Sequence, residues 1–277
     1  MFRSLSRVSC YAFAAAALVA GGSNPSLAGS LPERVTALYD INFNGINVGT
    51  YEFSSSQEGG SYTLKGNASM SLLLGAIQWQ GVTQTTGQLT GNVAKPASFN
   101  FEFSGTLKSG STRMAFQGDQ VSQVLHQPPS PPREGIVPVQ AQHLKGVLDP
   151  MTAVLSLAQA QDNPCTKRLP IYDGKQRFDL MLSPRGQVTL GGGQGGEAVP
   201  GYVCRVKYVP IAGHKADQDT QQLAQSNGIE IIMRPLAGTT IFVPHKVTIP
   251  TVAGSATLVS RRVMLVNNGQ QQLAFAQ

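Results

Sequence analysis

Tyr62-Thr63-Leu64-Lys65-Gly66-Asn67-Ala68-Ser69-Met70-Ser71-Leu72-Leu73-Leu74 is the stretch that decides the fold class. Tyr62, Leu64, Gly66, Ala68, Met70, Leu72 and Leu74 fall on one side of a period of two, and Thr63, Lys65, Asn67, Ser69 and Ser71 on the other. Successive side chains of an extended chain point to opposite faces, so the alternation predicts a strand with one apolar face. The same period runs outward from it. Upstream, Val35, Ala37, Tyr39, Ile41 and Phe43 alternate with more polar positions up to Asn44-Gly45, the dipeptide that a tight hairpin favours. A second strand from Ile46 to about Ser54 ends at Glu58-Gly59-Gly60. Downstream, Phe99, Phe101 and Phe103 repeat the pattern, with turns at Lys108 to Ser111 and Gly118-Asp119. Strands of this length between turn signals predict an antiparallel meander with one apolar face.

The rhythm breaks at residues 127–138, where Pro128-Pro129-Ser130-Pro131-Pro132 cannot contribute donors to a ladder and reads as an extended linker. A helix is predicted after it, over about 149–160. Asp149 suits the N-cap, Pro150 the first helical position, and Met151, Val154, Leu155 and Ala158 form an apolar stripe. So short a helix needs a tertiary surface. Beyond Cys165 the β pattern returns, with strands expected at 177–182, 187–190, 202–209, 229–234, 240–249 and 256–266. Residues 214–228 are polar and read as a loop or a turn or two of helix. The expected fold is all-β: a long curved antiparallel sheet wrapped on a single amphipathic helix, in two halves joined near the Pro-rich linker.

Composition agrees. Only 13% of residues are charged, and 30 glycines and 17 prolines suit many short strands and turns better than a helical bundle. The first 28 residues read as an export signal. Arg3 and Arg7 precede an apolar run from Val8 to Ala20, and Ser26-Leu27-Ala28 offers small residues for cleavage after Ala28. The mature domain, 29–277, is therefore expected in the periplasm, with no transmembrane segment after cleavage. Loss of Arg3 and Arg7 removes two charges from a formal net charge of +6, and no basic stripe with interleaved aromatics suggests nucleic acid.

Cys165 and Cys204 are the pair left after cleavage, and parity in an oxidising compartment predicts a disulfide. No catalytic or metal-binding constellation is recognisable. His126, His143, His214 and His245 have no ligand spacing, and no GxSxG elbow occurs. Residues 193–198 match a dinucleotide fingerprint by letter. Pro200 and a strand-like run follow where that motif needs a helix, so a hairpin loop is expected and no cofactor. Arg177 and Asp179 share one strand face, opposite Phe178 and Leu180. With Arg168 they form either a polar binding patch or, the reading preferred here, an exposed ion pair. Leu64, Met70, Leu72, Leu74, Phe99, Phe101 and Phe103 define an apolar face that would line a ligand cavity, unless Met151, Val154 and Leu155 plug it. A plugged barrel is the expectation.

The segments Cys165 to Leu180 and Val203 to His214 resemble the alphaproteobacterial branch of the domain of unknown function 3108 family. So do Tyr39-Asp40-Ile41 with Gly45 and Val48-Gly49, Leu148-Asp149-Pro150, and Val243-Pro244. The resemblance implies an exported open half-barrel curled around a helix. More remotely, the chain resembles β-spiral envelope-integrity proteins. The family supplies no catalytic residues. The expected function is thus a non-enzymatic periplasmic protein that supports envelope integrity by binding a periplasmic protein or the cell wall. The alternative is a carrier of lipid or another apolar ligand.

Overall fold

The computed structural model describes residues 32–129, 134–159, 163–192, 197–237 and 239–276. The residues read as an export signal, the centre of the Pro-rich linker and the glycine run at 193–196 lie outside them. Seven strands form the first meander: β1 Arg34–Phe43, β2 Ile46–Glu58, β3 Ser61–Leu72, β4 Ile77–Thr90, β5 Val93–Gly105, β6 Gly110–Gln117 and β7 Gln120–Gln127. Helix α1, Pro150–Ala158, separates it from the second half. That half comprises β8 Arg168–Tyr172, β9 Arg177–Leu190, β10 Val199–Ala212, α2 Gln218–Gln225, β11 Glu230–Pro235, β12 Phe242–Thr251, β13 Gly254–Asn267 and β14 Gln270–Ala276.

All fourteen strands belong to one open antiparallel sheet, ordered β7-β6-β5-β4-β3-β2-β1-β13-β12-β11-β10-β9-β8, with β14 also on β13. The halves are therefore joined by β1 and β13, whose register runs from Arg34 opposite Val266 to Phe43 opposite Ala256. They are not joined at the Pro-rich linker, as the order along the chain suggested. That linker leads instead to the open side of the curl. Lys145 bridges Gln120 of β7, and Leu148 bridges Ile171 of β8, so the approach to α1 crosses between the two edge strands. Both edges thereby gain partners, and the open sheet becomes a barrel-like shell.

Asn44 and Gly45 both take positive φ (50° and 81°), as a two-residue hairpin turn of the mirror-image type demands. Two strands escaped the sequence reading. β8 is short and carries Pro170, which an edge strand tolerates. β14 begins with three glutamines and has a single buried residue, Phe275. β9 runs unbroken through Pro184-Arg185-Gly186, where a bulge opposite Val203 and Cys204 absorbs the irregularity. The polar 214–228 stretch contains α2, capped by Asp217.

Helix α1 lies inside the curl, and this changes which of its residues are buried. Met151 and Leu155 pack on Tyr62, Leu64, Phe99 and Met114 of the first half. Ala153 and Leu157, on the opposite flank, pack on Leu169, Ile171, Leu182 and Met233 of the second. A helix apolar on both flanks is a core helix, not one lying on a flat sheet. Val154 and Ala158, expected in the buried stripe, are only half-buried. Gly66 makes the approach possible: a Cβ there would sit 2.8 Å from the Tyr51 hydroxyl and 3.2 Å from Met151 Cε.

The helix start is fixed by a fully buried carboxylate. Asp149 Oδ1 accepts from the Met151 and Thr152 backbone N–H groups and from Thr85 Oγ1, and Oδ2 accepts from Thr152 Oγ1. Thr152 Oγ1 in turn meets the Tyr62 hydroxyl at 2.9 Å. Replacing Asp149 by alanine removes the cap and strands two buried hydroxyls, and should cost about 2 kcal/mol in chemical denaturation. Burial raises the Asp149 pKa, although its four donors pull the other way. A carboxyl raised in the folded state stabilises the fold fully below its unfolded pKa. That contribution is lost as pH rises through the folded value. Asp149→Asn, which does not titrate, should flatten the pH dependence of stability across the acid range; an unchanged profile would show that other groups set it.

Candidate ligand site

The first cysteine cluster is built inward. Cys165 and Cys204 form the expected disulfide, with Cα atoms 5.0 Å apart and both residues buried. Arg177 and Asp179 share a strand face, as their spacing required, but the ion pair is not exposed. Asp179 is 1% and Arg177 8% accessible, and Arg177 Nη1 lies 2.5 Å from Asp179 Oδ1. Arg177 Nη1 also donates to the Phe178 carbonyl. Exposed Arg168 closes the cluster from outside, donating Nε to Asp179 Oδ2 at 2.7 Å. With both carboxylate oxygens taken, Asp179 has none left for a cation, and the cluster keeps one net positive charge, on the exposed Arg168 side.

The seven residues expected to line an apolar concavity are split three ways. Leu64 and Phe99 are buried beneath α1. Met70, Leu72, Phe101 and Phe103 stay half-exposed on the inner face, where Phe101 stacks on Phe103 at 5.6 Å and meets Trp79 at 6.3 Å. Leu74 leaves the face altogether. β3 stops at Leu72, and Leu73 and Leu74 turn into the left-handed region (φ 50° and 55°) with Leu74 in solvent. The period of two ended two residues earlier than its letters implied.

α1 does not plug the shell completely. On the flank formed by Pro150, Ala153, Val154 and Leu157 there remains a cavity of about 280 Å³. Tyr39, Tyr51 and Phe53 wall it from the first half, and Leu169, Ile171, Phe178, Leu180 and Leu182 from the second. Ile231, Pro244, Val247 and Leu258 complete it. A smaller void of about 40 Å³ continues along the helix toward Ala158 and shares Tyr39, Phe53, Val154 and Pro244 with the first. Among the described residues, no charged residue or histidine lines either space. The polar side chains of the larger one are the two phenols, with rings 6.1 Å apart. Tyr51 points its hydroxyl at Met151 Sδ, 3.5 Å away. Burial lifts the Tyr51 pKa to about 12 and raises that of Tyr39 further, so both stay neutral donors at physiological pH.

One pair has the letters of a nucleophile and its base. Ser260 Oγ lies 3.0 Å from His245 Nδ1, and burial chiefly, then Arg234 and Lys246, lowers the histidine pKa. Ser260 is completely inaccessible, however. The pair sits at a fork: β12 leaves β13 beyond the Lys246–Val259 pairing, and β14 joins the same edge only from Arg262. Its hydrogen bond fills the ladder position left between them, a structural role.

Most of the cavity wall was visible in sequence only as strand alternation. Val35, Ala37 and Tyr39 share a face, as do Phe178 and Leu180, but nothing local marks those faces as opposing each other across α1.

A shell of one antiparallel sheet around a helix, with an apolar void beside that helix, defines a barrel-like β protein with an internal ligand-sized space. Residues 38–258 match the family described as "Protein of unknown function (DUF3108)", and the chain belongs to that family. No curated protein matches it. Among solved structures it is similar to a beta-barrel-like protein of domain of unknown function DUF1849 from Brucella abortus. The TM-score is 0.50 at 9% identity, over 85% of this chain and 99% of that one, a likeness of fold.

Proposed function

We propose that this is a non-enzymatic periplasmic protein that holds the apolar chain of an envelope lipid, and that it supports envelope integrity through that binding. The observation that carries the reading is the cavity beside α1, walled by apolar side chains from both halves of the sheet. Its volume lies near the lower end of the roughly 300–1,000 Å³ usual for small-molecule sites. It suits a single chain or a short branched one. Each buried methylene contributes about 0.8 kcal/mol, before the cost of association. Tyr39 and Tyr51 supply neutral donors for an ester or hydroxyl, whereas a charged headgroup would have to remain at the surface. The export signal read in the sequence puts such a protein among lipids and away from soluble cofactors. This favours chain binding over the wall- or protein-binding role expected first.

The test is displacement of a fluorescent fatty acid from purified protein, with native mass spectrometry of material taken from the periplasm. Val154→Phe, which places a ring in the cavity from a half-buried position, should weaken binding about tenfold or more, equivalent to about 1.4 kcal/mol. The thermal midpoint should hardly change. Wild-type protein that neither binds the probe nor carries lipid would refute the reading, as would full-affinity binding by Val154→Phe.

A further inference from the structure

The two ends of the shell differ in a way that the cavity does not explain. Along one end, consecutive hairpin tips belong to β5–β6, β3–β4, β1–β2 and β12–β13, and each presents an apolar side chain outward. Leu107 is 77% accessible, Leu73 73%, Ile46 69% and Val252 69%, while Leu74 is fully exposed. At the other end the corresponding turns are Gly59-Gly60, Gly91-Asn92, Gly118-Asp119 and Asn268-Gly269, the chemistry that hairpins ordinarily use. Among the described residues, Val93 is the large exposed apolar residue immediately beside these turns, with Leu273 and Val188 farther along their strands. At the apolar end, Leu73 and Leu74 occupy a left-handed backbone that glycine or asparagine would adopt more easily. Leucine there satisfies no demand of the turn.

We infer that this rim is a docking surface for a lipid bilayer. The tips stand two strand spacings apart, about 10 Å each, along an arc of about 30 Å. Well-separated aliphatic prongs enter a deformable medium one by one, whereas a protein partner would need a continuous complementary surface, commonly with Tyr, Trp or Arg at its centre. Asn44-Gly45-Ile46, Leu73 to Ala76, Thr106 to Ser109 and Val252-Ala253 contain no acidic residue and one lysine, Lys108. An anionic headgroup layer would therefore meet no carboxylate on the four turns themselves, and the acid beside them is Asp219 of α2, which shares a groove with Val252. The tips are also braced in pairs. Asn44 bonds Ala253 and Ser255 across β1–β2 and β12–β13, and Thr106 bonds Gln78 across β5–β6 and β3–β4. Behind them, Trp79 lies half-exposed on the inner face, at the level where an amphipathic ring sits in an interface. The inference goes beyond the cavity reading and stands without it, since no tip residue lines the cavity.

The chain has a single tryptophan, Trp79, two strand positions behind the Ile77 end of the tip, so binding can be read without a label. Full-length mature protein titrated with vesicles of phosphatidylethanolamine and phosphatidylglycerol should show a blue shift of Trp79 emission and sedimentation with the vesicles, both persisting in high salt. Leu73→Ser with Leu74→Ser, at exposed positions that do not support the core, should raise the lipid concentration for half-maximal binding about tenfold or more. Adding Leu107→Ser should abolish binding. Absence of vesicle binding by the wild-type protein would overturn the inference, as would loss of binding in salt alone or unaltered binding by the leucine variants. Capture of a protein partner by this rim in place of vesicles would also overturn it. Val154→Phe should keep vesicle binding while losing the fatty-acid probe, so failure of either proposal is read separately.

Discussion

Asp179→Ala is expected to destabilise the protein by about 3–5 kcal/mol, the cost of leaving a buried charge without its partner. Arg177 is 8% accessible and directs Nη1 at Asp179 Oδ1 and the Phe178 carbonyl, so loss of the carboxylate leaves a guanidinium that water does not reach. Arg168→Ala should behave differently, although it contacts the same carboxylate. Its side chain is 66% accessible, so solvent screens the interaction and replaces it after mutation, with an expected loss of about 0–1 kcal/mol. Urea denaturation of the two single variants separates these cases. Arg177→Met with Asp179→Leu should recover most of the loss, because two apolar side chains of similar volume carry no desolvation penalty. A cost for Asp179→Ala as small as that for Arg168→Ala would mean that water enters the site.

Removal of the Cys165–Cys204 disulfide should cost a similar amount, about 4 kcal/mol on the chain-entropy model for a closed loop with a sequence separation of 39. The bridge ties the segment leaving α1 to β10, and Cys204 is completely buried among Val206, Met233 and Phe242 in the second-half core. Cys165→Ala with Cys204→Ala should therefore lower the denaturation midpoint, and should do so mainly through the unfolded chain. The native inner-face contacts can persist. Reductant should reproduce the loss in wild-type protein and leave the double variant unaffected. If reductant changes the double variant as well, the stability difference does not come from this bridge.

Much of this was legible locally. The alternation of Tyr62 through Met70, the Asn44-Gly45 turn and the Asp149-Pro150 start each depend on backbone geometry and on neighbours within a few residues, so the letters suffice. The same holds for Cys165 and Cys204, where parity and the compartment expected from the first 28 residues leave one pairing. Leu74 shows the limit. Its place in the alternation was formally correct, but Gly75 and the needs of the β3–β4 turn ended the strand at Leu72, and the side chain became part of a rim. Arg177 and Asp179 show another: their shared face followed from the strand period, but their burial depended on what packs above that face.

By itself, then, the sequence determined an all-β chain, the helix that starts at Asp149-Pro150, a disulfide, and faces apolar on every second residue. It did not determine which faces meet. That required the β1–β13 pairing, which brings together strands near opposite ends of the described residues and curls both halves around α1. Pairings at that separation leave no periodic trace in either partner, because the same alternation satisfies many registers and neighbours. Only the assembled sheet decides that Leu64 and Phe99 are covered by Met151 and Leu155 and that a void survives beside Val154. It also decides that Ile46, Leu73, Leu74, Leu107 and Val252 gather along one end. The physical reason is that burial is a property of the volume between elements, and that volume exists only once the curvature of the whole sheet is fixed.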